Sequence, residues 1–157
     1  MQTYISKSVT ETKNLAKKLA KNFKGGEILG LIGDLGSGKT HFTKGLAEFY
    51  KIKKTITSPT FVLLKPYSIP RDPSPRRSRA AGFKTGLKNL IHIDCYRLDK
   101  PNQLLEIGLE EYINNPESVV VIEWAEKIKN ILPKNTIYIN FKLSKKENKR
   151  IIQIISN

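Results

Sequence analysis

Apolar positions along the chain follow two periods, and the changes between them mark the elements. Leu15, Leu19 and Phe23 recur at helical spacing with Lys17, Lys18 and Lys21 on the polar side, so a helix is expected from Thr10 to Phe23. Thr10 is its expected N-cap, although Lys13 rather than Glu stands three residues on. Gly25-Gly26 ends it. Glu27 to Ile32 then reads Glu-Ile-Leu-Gly-Leu-Ile, the unbroken apolar run of a strand buried on both faces of a parallel sheet. A Gly-rich loop follows. A helix with Phe42, Leu46 and Phe49 on one side is expected from Lys39 to Tyr50.

Further strands are expected at Tyr4-Ile5, Phe61 to Leu64, Leu90 to Ile93 and Ser118 to Ile122. Thr136 to Leu143 and Ile151 to Ile155 read as a closing hairpin around Ser144 to Lys149, and Leu104 to Ile113 as a helix broken near Gly108. Strands alternating with helices argue a three-layer α/β domain. Its sheet should be mixed and mostly parallel in the centre, with antiparallel terminal strands: the P-loop NTPase arrangement, over residues 1–157 as a single domain. Pro66 to Lys88 breaks the pattern. It holds four of the eight prolines and sets Arg71, Arg76, Arg77, Arg79, Lys84 and Lys88 against Asp72 alone, so it is expected to be a long, basic, mobile loop insertion.

Charge changes the picture more than composition does. Lys and Arg number 28 against 14 Asp and Glu, a formal charge of +14. A field of that sign attracts polyanions, although a lysine-rich surface alone names no partner. No apolar run approaches the roughly 18 residues that a membrane-spanning helix needs. The first residues lack the layout of a signal peptide. Cys95 is the single cysteine, which excludes an internal disulfide framework and fits a reducing compartment. A cytoplasmic protein with no membrane partner is therefore expected.

The chemistry is carried by Gly33-Asp34-Leu35-Gly36-Ser37-Gly38-Lys39-Thr40, a full Walker A pattern lying after a strand and before a helix. Glycines permit backbone conformations in which successive amides point inward around an anion. The following helix adds the positive end of its dipole. Lys39 supplies a charge for the β- and γ-phosphates, and the Thr40 hydroxyl is suited to Mg²⁺. No Asn-Lys-x-Asp segment is present to read guanine, so ATP is the expected substrate. Such a site also needs a carboxylate for the metal shell or the attacking water. Asp94 and Glu123 each end an apolar strand, and ligands of open α/β sheets lie at those ends. His92 shares the Asp94 face and is either a helper of the water or metal shell or a packed histidine. Arg97 is a candidate charge stabiliser or a surface ion-pair partner. Trp124 is most simply a packing or interface residue.

These pieces together resemble the TsaE (YjeE) family of small bacterial P-loop ATPases. The match is carried by the Walker A segment, Ser58-Pro59-Thr60-Phe61-Val62-Leu63, His92-Ile93-Asp94-Cys95-Tyr96-Arg97-Leu98, Leu105-Glu106-Ile107-Gly108 and Glu123-Trp124-Ala125-Glu126. The resemblance implies a Mg²⁺-dependent ATPase acting with TsaB and TsaD to form threonylcarbamoyladenosine next to the anticodon of tRNAs reading codons that begin with A. It implies that Gly33 to Thr40 and His41 hold the nucleotide, with Thr10 near the adenine. It further implies that Thr40 and Glu123 serve the Mg²⁺ site, that Lys39, Asp94 and Glu123 are catalytic, and that Ser58, Pro59 and Thr60 form a switch sensing the γ-phosphate. The segment 66–88 departs from the family by being longer and more basic. It is either an arm touching tRNA, whether directly or within the complex, or an inert insertion; Tyr67 and Phe83 are its only aromatics, too few to favour base stacking. Two other functions share these residues. A small-molecule P-loop kinase would yield a phosphorylated metabolite rather than free phosphate. A nucleic-acid-binding protein gated by ATP would show salt-dependent binding.

Overall fold

A computed structural model describes residues 1–57, 63–70, 86–144 and 149–155. One seven-stranded sheet organises them: β1 (Gln2–Ser6), β2 (Ile28–Ile32), β3 (Leu64–Ser68), β4 (Asn89–Asp94), β5 (Ser118–Glu123), β6 (Ile137–Leu143) and β7 (Arg150–Ile155). Their spatial order is β1-β7-β6-β2-β5-β4-β3. The four central strands, β6, β2, β5 and β4, are mutually parallel. β1, β7 and β3 pair antiparallel with their neighbours. The mixed α/β sheet expected from the sequence is the one found.

Alternation along the buried strands divides the interior in two. Leu29, Leu31, Leu90, Val119 and Val121 face one side, where they meet α1 (Val9–Ala20) and α2 (Lys39–Phe49). Ile28, Ile91, Ile93, Val120 and Ile122 face the other, against α3 (Asn102–Glu106), α4 (Leu109–Ile113) and a 3-10 turn at Ala125–Ile128. Each of these buried aliphatics contributes roughly 1.5–3 kcal/mol. The same alternation puts His92, Asp94 and Glu123 on the α2 side. No helix among the described residues is long and apolar enough to cross a membrane.

Three local expectations need correction. Ser8, not Thr10, caps α1: its side chain accepts the Glu11 amide at 3.0 Å, and Glu11 answers by accepting the Lys7 amide. The helix ends at Ala20 with Lys21 as its C-cap, short of Phe23. The expected loop from Pro66 begins in fact as strand, because β3 runs Leu64–Ser68 with Pro66 opposite Ile91. Proline is tolerated there because β3 is an edge strand. The Ile69 amide then donates to the Lys88 carbonyl at 2.8 Å, so both ends of the basic segment are tied to the sheet edge. Its middle, residues 71–85, lies outside the described residues, as do Phe61 and Val62 of the expected second strand. The expected break at Gly108 is found, with φ +80° between α3 and α4. The closing hairpin is also found, with the Ser144 amide donating to Lys149 at its mouth.

Candidate functional site

The carboxyl ends of β2, β4 and β5 lie side by side because the strands are parallel and in register: Asp94 is paired with Glu123, and Glu123 with Leu31. The Gly33–Gly38 loop leaves β2 at this edge and turns directly into α2. Gly33 has φ +144°, and a Cβ there would collide with the Phe141 carbonyl. Gly38 opens α2 at φ +108°, where a Cβ would come 3.1 Å from the Arg150 side chain. Both conformations belong to glycine. No side chain caps α2, so its first amides keep their capacity for an anion.

A cavity of about 230 Å³ lies over the loop, between Thr40 and His41 on one side and Asp94, Glu123, Tyr96 and Trp124 on the other. Glu123, only 2 % exposed, is its best-anchored group. Its Oε2 accepts the Thr40 hydroxyl at 2.9 Å. Its Oε1 accepts from His92 Nε2 at 2.9 Å and from the buried Thr43 hydroxyl at 3.3 Å. Three donors on two helical turns and one strand thus fix the carboxylate plane. Asp94 is held differently: its Oδ1 accepts the Tyr96 amide at 3.0 Å, and its own amide donates to Leu63. Neighbouring Cys95 is buried with its thiol pushed up to about 12, first by burial and then by the Asp94 charge. It is neither nucleophile nor ligand at neutral pH.

The Lys39 ammonium donates to the carbonyls of Gly33 and Asp34 and lies 3.9 Å from the Trp124 ring centroid. Burial lowers its pKa, outweighing the charges of Glu123, Glu126, Asp94 and Asp34, which act to raise it. Trp124 reaches this position through a left-handed backbone, φ +60°, a conformation costly for a bulky side chain. The Ser37 hydroxyl and His41 Nδ1 are buried without a hydrogen-bond partner. Burial, followed by the charges of Lys44, Arg150 and Lys13, holds His41 below the usual imidazole range. The orphaned Ser37 hydroxyl and His41 Nδ1, beside the Lys39 ammonium and the uncapped start of α2, fit an anionic, many-oxygened ligand. A divalent cation fits beside it at Thr40 and Glu123. Among the described residues no group of three or more His, Cys, Asp or Glu forms a metal cage by itself, so ligand oxygens would complete the shell.

The structure therefore brings Leu35 to His41, Asp94 and Glu123 into the cavity lining, while Gly33 and Asp34 lie outside it with their carbonyls bonded to Lys39. It does not bring Thr10 into the cavity lining; Thr10 is exposed on the first turn of α1, whereas Thr12 Cγ2 approaches Gly38 to within 3.9 Å of a Cβ built there. Arg97 is exposed and lies outside the lining. Ser58, Pro59 and Thr60 lie outside the described residues. Thr43 and Arg150 were not legible as site residues. Thr43 follows Lys39 by one helical turn, a periodicity that could have flagged it, but Arg150 arrives from β7 without a local signal.

The family model for the threonylcarbamoyl adenosine biosynthesis protein TsaE matches residues 6–152. The chain belongs to the TsaE family. The tRNA threonylcarbamoyladenosine biosynthesis protein TsaE of Rickettsia prowazekii is 38 % identical over 155 residues, 98 % of this chain and 93 % of that one. The TsaE protein of Bacillus subtilis is 37 % identical over 132 residues, 84 % of this chain and 72 % of the relative. The crystal structure of YdiB from Bacillus subtilis superimposes with a TM-score of 0.72 at 30 % identity, covering 99 % of this chain and 84 % of that one. The TsaE chain thus has a P-loop fold, and its family's role is tRNA threonylcarbamoyladenosine biosynthesis.

Proposed function

We propose that this TsaE chain is a Mg²⁺-dependent ATPase acting with a TsaB–TsaD pair in formation of the threonylcarbamoyl group on tRNA. The observation that carries the reading is the juxtaposition of the Gly33–Thr40 loop with a Glu123 carboxylate already bonded to the Thr40 hydroxyl at 2.9 Å. Lys39 leaves the Gly33 and Asp34 carbonyls and donates to the β- and γ-phosphates. The loop amides and the start of α2 hold the remaining phosphate oxygens. Thr40 and Glu123 are the residues that would hold Mg²⁺, which would offset charge on the transferred phosphoryl group. Asp94 accepts a hydrogen bond from the attacking water and orients it toward the γ-phosphorus. The new bond is water oxygen to phosphorus; the bond broken joins the γ-phosphorus to the bridging oxygen; ADP and phosphate leave. His92 and Thr43 keep Glu123 in place throughout. Ser58, Pro59 and Thr60 act as the segment that senses the γ-phosphate.

Leu35, 73 % exposed, and Tyr96, 49 % exposed, rim the cavity. They give a partner protein an apolar surface to contact beside the phosphates. We expect slow turnover alone and faster turnover once the partners complete the site. The test is reconstitution with TsaB, TsaD and tRNA, comparing the native chain with Lys39→Ala. Repeated rounds of modification should require the native chain and release free phosphate. Undiminished modification with Lys39→Ala, or a phosphorylated metabolite in place of free phosphate, overturns the proposal.

A further inference from the structure

Formal charge is not spread evenly over this molecule. On the sheet face covered by α1 and α2, Lys44, Lys51, Lys53 and Lys54 stand with Glu48 as the one acid between Lys39 and Thr57. α1 and the turn after it add Lys13, Lys17, Lys18, Lys21 and Lys24 against Glu11 and Glu27. On the opposite face, Asp99, Glu106, Glu110, Glu111 and Glu126 offset Arg97, Lys100, Lys127 and Lys129. The excess among these elements therefore lies on one side of the sheet.

That side is also shaped. Lys44, Glu48, Lys53, Lys54 and Thr55 surround a hollow of about 260 Å³ where α2 ends, which Ala47, Ile52 and Ile56 also line. The acid in it is already engaged, since Glu48 takes Lys13 at 2.6 Å and Lys17 at 2.7 Å. The charge surplus around the hollow is thus carried by Lys44, Lys53 and Lys54. Their field reaches toward the loop at the other end of α2, where Lys44 is among the charges acting on His41. Beyond Val9, no large apolar side chain of α1 or α2 is exposed, so the face lacks the apolar centre of a protein interface. The cations of α1, α2 and the segment after α2 are all lysines, which suits phosphate contact without base readout.

We propose that the lysine face, centred on the hollow between Lys44, Lys53 and Lys54, docks the phosphodiester backbone of folded RNA. The choice of tRNA as that RNA rests on the family's role in tRNA modification. The face does not require the basic segment at 71–85, and it is reached without covering the nucleotide cavity at the opposite end of α2.

The experiment follows fluorescence anisotropy of a labelled, unmodified tRNA transcript with the full chain, over a salt series from about 50 to 200 mM. Lys44→Gln/Lys53→Gln/Lys54→Gln should weaken binding about tenfold or more. It should also reduce the slope of log affinity against log salt by about 2–3, near 0.7–0.9 per lost phosphate contact. Lys100→Gln/Lys129→Gln/Lys134→Gln, equal in charge removed, should stay within about twofold of the native chain. Removal of residues 71–85 should leave the sensitivity to the hollow's lysines intact. Equal weakening by the two triple variants, no weakening by the first, or tight binding of an acidic peptide in preference to tRNA overturns the proposal. Mg·ATP binding is measured on the same proteins. Nucleotide binding lost with lysine-dependent RNA affinity kept would sink the ATPase reading alone, and the reverse result would sink the RNA face alone.

Discussion

Replacing Glu123 by Gln separates the folding role of this side chain from its proposed chemical one. In the native chain its two oxygens accept three donors: Thr40 at 2.9 Å, His92 at 2.9 Å and Thr43 at 3.3 Å. Gln is nearly isosteric. With its carbonyl kept toward His92 and Thr43, its amide faces the Thr40 hydroxyl, which can accept. Two of the three bonds survive in neutral form and the third reverses. Hydrogen bonds to a charged group contribute about 1.5–3 kcal/mol and neutral ones about 0.5–1.5. Loss of the buried charge also removes its desolvation cost. Unfolding free energy should therefore fall by only about 1–2 kcal/mol. Turnover should fall far more, because the proposed Mg²⁺ site loses its one protein carboxylate. A drop of about a hundredfold or more, near 2.7 kcal/mol of barrier, is expected. Denaturant unfolding and phosphate release with TsaB and TsaD present give the two numbers. Phosphate release within about threefold of native, in a folded variant, would refute the assignment of Glu123 to the reaction.

Other outcomes follow from the same geometry. Thr43→Val removes a donor to Glu123 and should cost about 1 kcal/mol of stability and lower turnover with little change in nucleotide affinity; Thr43→Ser should restore turnover, and failure of that rescue would point to packing alone. Gly45→Ala would place a Cβ 2.6 Å from the Lys13 carbonyl and 2.9 Å from Ala16 Cβ. Overpacking of about 1–3 kcal/mol should exceed the gain of about 1 in helix propensity, so the denaturation midpoint should fall. His41 is held below its ordinary range by burial and by Lys44, Arg150 and Lys13. The folded chain thus binds fewer protons than the unfolded one as pH drops below about 6.5, and stability falls through that window toward the lower folded value. His41→Gln should flatten the fall in melting temperature between about pH 7.5 and 5.5.

The central strands and the loop were readable because their causes are local. Val119 to Ile122 is apolar on both faces, Leu90 to Ile93 is apolar but for His92, and both are buried in the parallel centre. Gly33 and Gly38 mark backbone that other residues reach only with strain. Asp94 and Glu123 were legible as site residues because parallel strands end together. What escaped depends on partners distant in sequence. Pro66 reads as a breaker until β3 is known to be an edge. Thr43 looks like an ordinary helix residue until Glu123 arrives 80 positions later. Arg150 meets Gly38 only because β7 closes the sheet beside β6. Ser8 caps the helix in place of Thr10, its hydroxyl accepting the Glu11 amide while the Glu11 carboxylate accepts the Lys7 amide just before the cap.

The central claim is that the Gly33–Thr40 loop grips a triphosphate through main-chain amides, Lys39 and Thr40. Calorimetric titration of Mg·ATP into the native chain and into Lys39→Ala tests it most directly. A single saturable site in the native chain, weakened at least about tenfold by the substitution, is the expected result, equal to a loss of about 1.4 kcal/mol or more. Absence of binding heat across several temperatures in the native chain, or an isotherm unchanged by Lys39→Ala, would contradict it.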